Sequence, residues 1–202
     1  MFGPRVACRS LERYRKRGLD ALERRMLEAI PPEQVADARV LEVGGGIGAI
    51  QAELVAAGAR QGDVVELVEA YEPYARELAR EKGIDERSTF RVVDILENPD
   101  QVQPATIVVL SRVVCCSPDG IALAGVAAGL TERTLVLSYP RDRLLVRAGV
   151  RLLNAGQRLL GRSFRAFVHA PAALFAAAQA EGLRVATHER GQLWEFVTLQ
   201  RA

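Results

Sequence analysis

Glu42, Glu69 and Asp94 are three acids that each close a short apolar run, and Glu42 stands two residues before the glycine cluster Gly44-Gly45-Gly46-Ile47-Gly48. Glycine serves where a backbone must take positive φ, or lie against a ligand with no Cβ in between. A glycine turn at the carboxyl end of a first parallel strand makes the floor of a nucleotide-type site. A carboxylate ending the second strand, as Glu69 is expected to, can accept both hydroxyls of a ribose. Glu66 and Glu72 compete for that position. A buried Glu42 is costly without a partner, so one is expected. Asp94 also fits a turn or cap aspartate. One acid at a strand end is ordinary; three in register point to one nucleoside site.

These acids need strands and turns to hold them, and alternating patterns along the chain supply both. A helix is expected over 10–30, ended by Pro31-Pro32, which cannot continue it. Strand 39–43, helix 47–57, strand 64–69, helix 73–82, strand 90–94 and the wholly apolar strand 106–110 follow. A strand of that last kind is buried on both faces. A helix over 119–130, strand 134–138, a long helical region over 144–160 and a helix over 171–181 come next. The last strands, 183–187 and 194–199, lie too close in sequence for a crossover helix, so they should pair as an antiparallel hairpin. The expected fold class is α/β: a Rossmann-like, doubly wound sheet of seven strands, mostly parallel, with an antiparallel hairpin strand at the carboxyl end.

Composition narrows the classes. With 202 residues and 49% hydrophobic content, the chain can bury one full core. A net charge of +2 gives no reason to expect nucleic acid, and Lys16 and Lys82 are the only lysines beside many arginines. Cys8, Cys115 and Cys116 have neither disulfide nor zinc spacing, which predicts a reducing compartment and no metal. The adjacent pair is expected as small buried residues at a strand end. The first 25 residues are charged and helical, unlike a secretory signal. No apolar run approaches the roughly 20 residues of a spanning helix. The expectation is a soluble cytoplasmic protein.

Two cofactors compete for the glycine turn. Gly44-x-Gly46-x-x-Ala49 meets the loose dinucleotide pattern, which accepts alanine at its last position. The same stretch meets Glu-x-Gly-x-Gly-x-Gly from Glu42 to Gly48, and LEVGGGIGAIQAEL (41–54) resembles the first motif of the class I S-adenosylmethionine-dependent methyltransferases. That cofactor has no pyrophosphate to cradle at a helix start. It has an ammonium, a carboxylate and a sulfonium to hold. The resemblance covers roughly residues 35–202 and implies S-adenosylmethionine as cofactor and S-adenosylhomocysteine as product. It implies that Glu42, Gly44, Gly45, Gly46 and Gly48 surround the amino-acid end, with Glu69 and Ala70 at the ribose. Asp94 would lie near the adenine amino group, Ile95 beside the ring, and Ser111 and Arg112 in the loop after the fourth strand.

The same resemblance bears on the acceptor. The stretch 111–119 lacks the Asn/Asp-Pro-Pro-Tyr-type signature of amino-group methyltransferases, which argues against a base or protein amide. A small molecule, methylated on oxygen, carbon or carboxylate, fits better. A loose likeness to enzymes acting on porphyrin and quinone precursors suggests a hydrophobic one. Residues 1–34 would form a helical lid, through which Tyr14 or Arg17 reaches the cofactor or an anionic substrate. Tyr139, Arg141 and His169 are the other substrate-side candidates, with His169 the best general base. Methyl transfer from a sulfonium can also proceed on orientation alone.

Residues 141–165 carry seven arginines and one acid, Asp142, among leucines. That pattern fits a helix packed on the sheet, a cap over a greasy acidic substrate, or a peripheral membrane contact through 143–165. Two rival functions stay open: an NAD(P)-dependent oxidoreductase, and a cofactor-binding regulatory protein without catalysis.

Overall fold

The computed structural model describes residues 3–201, so Met1, Phe2 and Ala202, at the outer ends of the two expected segments, lie outside the described residues. The chain opens with α1 (Pro4–Arg17), α2 (Ala21–Glu28) and the short α3 (Pro32–Val35). The single helix expected over 10–30 is therefore two. Gly18 takes φ +64, outside helical geometry. Asp20 then restarts the helix by accepting the N–H groups of Leu22 and Glu23, while the Glu23 carboxylate accepts the Asp20 N–H at 2.8 Å. Asp20-x-x-Glu23 is a capping box, a start signal strong enough to split one apolar pattern into two helices.

An alternating series follows: β1 (Arg39–Val43), α4 (Ala49–Ala56), β2 (Gln61–Glu66), α5 (Glu72–Glu81), β3 (Ser88–Val92), β4 (Ala105–Leu110) and α6 (Gly120–Gly129). The chain continues through β5 (Thr131–Pro140), α7 (Leu144–Leu159), α8 (Pro171–Ala180), β6 (Leu183–Arg190) and β7 (Trp194–Arg201). The seven strands form one sheet in the order β3-β2-β1-β4-β5-β7-β6. β1 to β5 pair parallel, and β7 runs antiparallel between β5 and β6, as the short final connection predicts. Successive residues of a strand face opposite sides of the sheet. Val40, Ile107, Val109, Val136 and Phe196 thus join one core with α1, α2 and α4, while Leu41, Val108, Leu135 and Val197 join the other with α6 and α8. Every residue from Ile107 to Leu110 is fully buried, which is why β4 is apolar throughout.

Two strand ends differ from expectation, and both differences move the site. β2 spans Gln61–Glu66 rather than 64–69. Its early start is possible because Arg39 Nε meets the buried Asp63 at 2.9 Å, so a charged residue sits inside the sheet with its partner. Its early end follows from the Glu66 carboxylate, which takes the N–H groups of Leu67 (2.8 Å) and Val68 (3.1 Å) and turns the chain out of the ladder. β3 ends at Val92, and Asp94 lies beyond it in a turn, where Oδ1 accepts the Leu96 N–H at 2.9 Å.

Candidate active site

The strand order reverses between β1 and β4, and in open α/β sheets the crevice beyond the carboxyl ends at such a point receives ligands. The glycine turn lies there. The Gly44 N–H donates to Val65 O at 2.7 Å, which holds the turn against β2. Gly44 takes φ +62, and a Cβ on it would stand 2.7 Å from the Val113 methyls, so no larger residue fits. Gly48 takes φ +71 and caps α4. Below the turn, Glu42 is buried, and its Oε2 accepts the Gln51 N–H at 2.8 Å. Its partner is thus the start of α4, where N–H groups and the helix dipole favour an anion. Even so, burial pushes Glu42 up to about 8, and nearby Glu23 and Glu66 add to the push while the Gln51 and Ile50 N–H groups oppose it.

Glu66 closes β2 beside this turn. Its Oε2 accepts the Gly46 N–H at 3.0 Å, so one carboxylate ties the glycine loop to the next strand end. Glu69, expected at that strand end, instead opens a short 3-10 turn three residues on, exposed, and lines an open groove with Ala70, Glu72, Pro73 and Arg76. Ile95, expected beside a ring, is buried in the core on the α6 side with Val65 and Val102. The apolar side chain exposed at this edge is Leu67, next to Glu66 and 63% accessible. The Val93 N–H donates to Glu66 O at 3.2 Å, which brings the segment leading to Asp94 alongside.

The loop after β4 supplies the other wall. Ser111 Oγ is buried with no hydrogen-bond partner among the described residues, an orphan that a ligand oxygen or nitrogen would satisfy. Arg112 takes φ +58, a conformation that bulky residues rarely hold. Its N–H donates to Ser138 Oγ at 2.9 Å. Its guanidinium meets Asp20 at 2.7 Å and Glu23 at 3.5 Å and lies over the Trp194 ring at 5.5 Å. Arg112 therefore fastens α2 across the site edge to β5 and β7. Tyr14, a candidate to reach cofactor or substrate, is buried and donates its hydroxyl to Glu53 of α4, with Lys82 Nζ 5.4 Å above its ring. Arg17 is exposed at the end of α1.

The two histidines, His169 and His188, are held by different partners. His169 Nε2 lies 3.0 Å from both Val114 O and Ser117 O, so that nitrogen is a donor spent on backbone carbonyls. A Cβ on Gly120 would come within 2.4 Å of it, so glycine there makes room for the contact. His188 Nε2 instead lies 2.8 Å from the Tyr139 hydroxyl and 3.0 Å from Glu195 Oε2, and Arg141 Nε meets the other Glu195 oxygen at 2.9 Å. Burial keeps the Tyr139 phenol well above its ordinary value, hence protonated, with the Glu195 charge acting the same way. A cavity of about 380 Å³ opens on this group, lined also by Arg143, Phe175 and Arg190. It sits at the carboxyl end of β5, the edge that also carries the glycine turn.

Tyr139 and Arg141 are legible as candidates in the sequence; Glu195 is not, and His188, in the final hairpin, ranks behind His169. One signal was present, an acid inside the apolar run of β7, and the β5–β7 register sets Glu195 opposite Tyr139. Cys115 is buried as expected, whereas Cys116 is exposed. Cys116 lies in the loop after β4, with Sγ 3.5 Å from Arg112 O, which sets it on the rim of the same site.

No protein-family model matches the sequence, and no curated protein does. Solved structures do match. The magnesium protoporphyrin IX methyltransferase of Synechocystis PCC 6803, with bound SAH, aligns over 98% of this chain and 84% of its own, with 17% identity and a TM-score of 0.68. An O-methyltransferase family 2 protein of Planctomyces limnophilus, in complex with apigenin, aligns over 100% of this chain and 62% of its own, with 14% identity and a TM-score of 0.71. A [4+2]-cyclase aligns over 89% of this chain and 79% of its own, with 12% identity and a TM-score of 0.67. The chain has the fold of the class I S-adenosylmethionine-dependent methyltransferases, and the cyclase is a reminder that one fold hosts several chemistries.

Proposed function

We propose that this protein is an S-adenosylmethionine-dependent methyltransferase acting on a small, hydrophobic acceptor at oxygen, carbon or carboxylate. The observation that carries the reading is the glycine turn clasped by two carboxylates, Glu42 beneath it and Glu66 beside it, with the orphaned Ser111 Oγ opposite. A dinucleotide site needs a helix start free to receive pyrophosphate. Here the first turn of α4 is already taken by Glu42, and the Glu66 carboxylate beside the turn suits a ligand carrying an ammonium and a sulfonium.

When bound, the cofactor supplies an electrophilic methyl group on a sulfonium leaving group. Glu66, rather than Glu69, accepts the ribose hydroxyls, since it ends β2 against the glycine turn. Asp94 and Leu67 hold the adenine end. Ser111 Oγ makes a polar contact on the β4 side. The amino-terminal helices α1 and α2 form a cover over the site edge, held by Arg112 through Asp20 and Glu23, that excludes water from the reacting centre. On the acceptor side, His188 borders the cavity with its Nε2 held by Tyr139 and Glu195, so its Nδ1 is the atom that would take a proton from an acceptor hydroxyl.

Calorimetric titration with S-adenosylmethionine, S-adenosylhomocysteine and NAD tests the cofactor. Binding of NAD with no heat from the other two overturns the proposal in favour of an oxidoreductase. Labelled cofactor with a cell extract then tests catalysis, and a cofactor that binds but never yields labelled product points to a regulatory protein. His188→Gln should alter the pH profile of turnover, while His169→Gln should alter stability and leave that profile in place.

A further inference from the structure

α7 has three sides, and the most apolar one faces away from the protein. Gln157 is buried, and Asn154 exchanges hydrogen bonds with the Ala166 backbone at 2.8 and 2.9 Å, so the turn of the helix holding these two faces inward. Arg147, Arg151 and Arg158 recur at helical spacing as one ridge. Leu145, Leu152 and Leu159 recur every seven residues as another, and they are 86%, 75% and 89% exposed. Leu144 and Leu160 broaden that stripe and are exposed as well. A leucine stripe of this extent, left in water, marks a surface that meets something.

We infer that α7 is a docking helix for an anionic lipid surface. Charge decides the occupant. Residues 141–165 carry seven arginines; Arg147 is paired to Asp142 and Arg141 to Glu195, which leaves five without an acidic partner among the described residues, while the chain as a whole carries only +2. A second copy of this chain, docked through the same stripe, would bring one arginine ridge beside another. Anionic headgroups neutralise that ridge while the leucines enter the acyl boundary. Among the described residues no helix is long and apolar enough to cross a membrane, so α7 would lie in the interface plane. Its first turn follows directly from Arg141 and Arg143, at the edge of the cavity beyond β5, so a docked α7 holds that cavity close to the lipid. The inference rests on exposure and charge and stands apart from the methyl-transfer reading.

The test is flotation of the full chain with vesicles of phosphatidylcholine alone and with about one third phosphatidylglycerol. The expected result is flotation with the anionic vesicles only, weakened by salt. The variants Leu145→Ser/Leu152→Ser/Leu159→Ser and Arg151→Glu/Arg158→Glu should each lower partitioning by roughly a hundredfold or more. These side chains are solvent-facing, so the thermal melts of both variants should match the parent. A Leu152→Trp variant gives an independent readout, a blue-shifted emission on anionic vesicles. Three results would each overturn the inference: no flotation, equal flotation on both vesicle types, or a concentration-dependent dimer in sedimentation that the leucine variant abolishes. The last assigns the stripe to a second copy.

Discussion

Replacing Glu42 by Gln removes a buried ionisable group and keeps the side chain's shape and its capacity to accept the Gln51 N–H. Burial lifts Glu42 from an ordinary 4.5 to about 8, so the folded protein holds that proton far more tightly than the unfolded chain does. Below the unfolded value both states are protonated and the group is neutral in its effect. As pH climbs from 4.5 towards 8, the unfolded chain releases its proton first, and stability falls by up to about 1.36 kcal/mol per pH unit. Above about 8 the folded form ionises too and the penalty becomes constant. Across the whole window the ceiling is about 5 kcal/mol, and local relaxation and water access bring the expectation to about 2–3 kcal/mol. The uncharged Gln carries no such slope. Urea unfolding of both ligand-free proteins, from about pH 5 to about pH 9, therefore predicts curves that nearly coincide at the acid end and diverge upward in favour of Glu42→Gln. A constant difference across that range would mean that burial does not hold Glu42 protonated, and the reasoning would be refuted.

Other consequences can be checked with equally small changes. Glu66→Ala should weaken S-adenosylhomocysteine binding by about 1.5–3 kcal/mol, the range for hydrogen bonds to a charged group, while Glu69→Ala stays within about 0.5 kcal/mol; calorimetry showing the reverse order would return the ribose contact to Glu69. Arg112→Ala should destabilise the protein by about 1–2 kcal/mol and speed amide exchange over 20–28, and unchanged exchange there would show that the latch holds nothing. Gly120→Ala should cost about 1–3 kcal/mol, because its Cβ would meet both His169 Nε2 at 2.4 Å and Val114 O at 2.5 Å. Adding His169→Ala should recover only part of that loss, since the Val114 carbonyl stays, and full recovery in thermal melts would contradict the geometry. Alkylation of the exposed Cys116 should slow markedly when S-adenosylhomocysteine is bound, and an unchanged rate by mass spectrometry would move that thiol away from the site.

What the residues alone determined was local. Alternating apolar runs and glycine turns announce a doubly wound sheet, and the short span between β6 and β7 dictates the antiparallel hairpin, because no crossover helix fits there. The stretch from Glu42 to Gly48 reveals its strand, its turn and the following helix, since glycine at positive φ is a requirement written in residue type. Tertiary structure decided everything that depends on who meets whom. Asp63 can stand inside β2 because Arg39 lies on the neighbouring strand, and the Glu66 carboxylate, by taking the Leu67 and Val68 N–H groups, ends that strand at Glu66 rather than Glu69. His169 and His188 look alike in one dimension; three-dimensional packing spends the first on two carbonyls and sets the second between Tyr139 and Glu195. The amphipathic pattern of α7 is plain in the sequence, but pattern does not say which face turns inward. Asn154 and Gln157 settle that by engaging the protein, and they leave the leucines to the outside. Periodicity and turn chemistry are properties of neighbours along the chain, whereas charge pairing, burial and orientation belong to residues far apart in it.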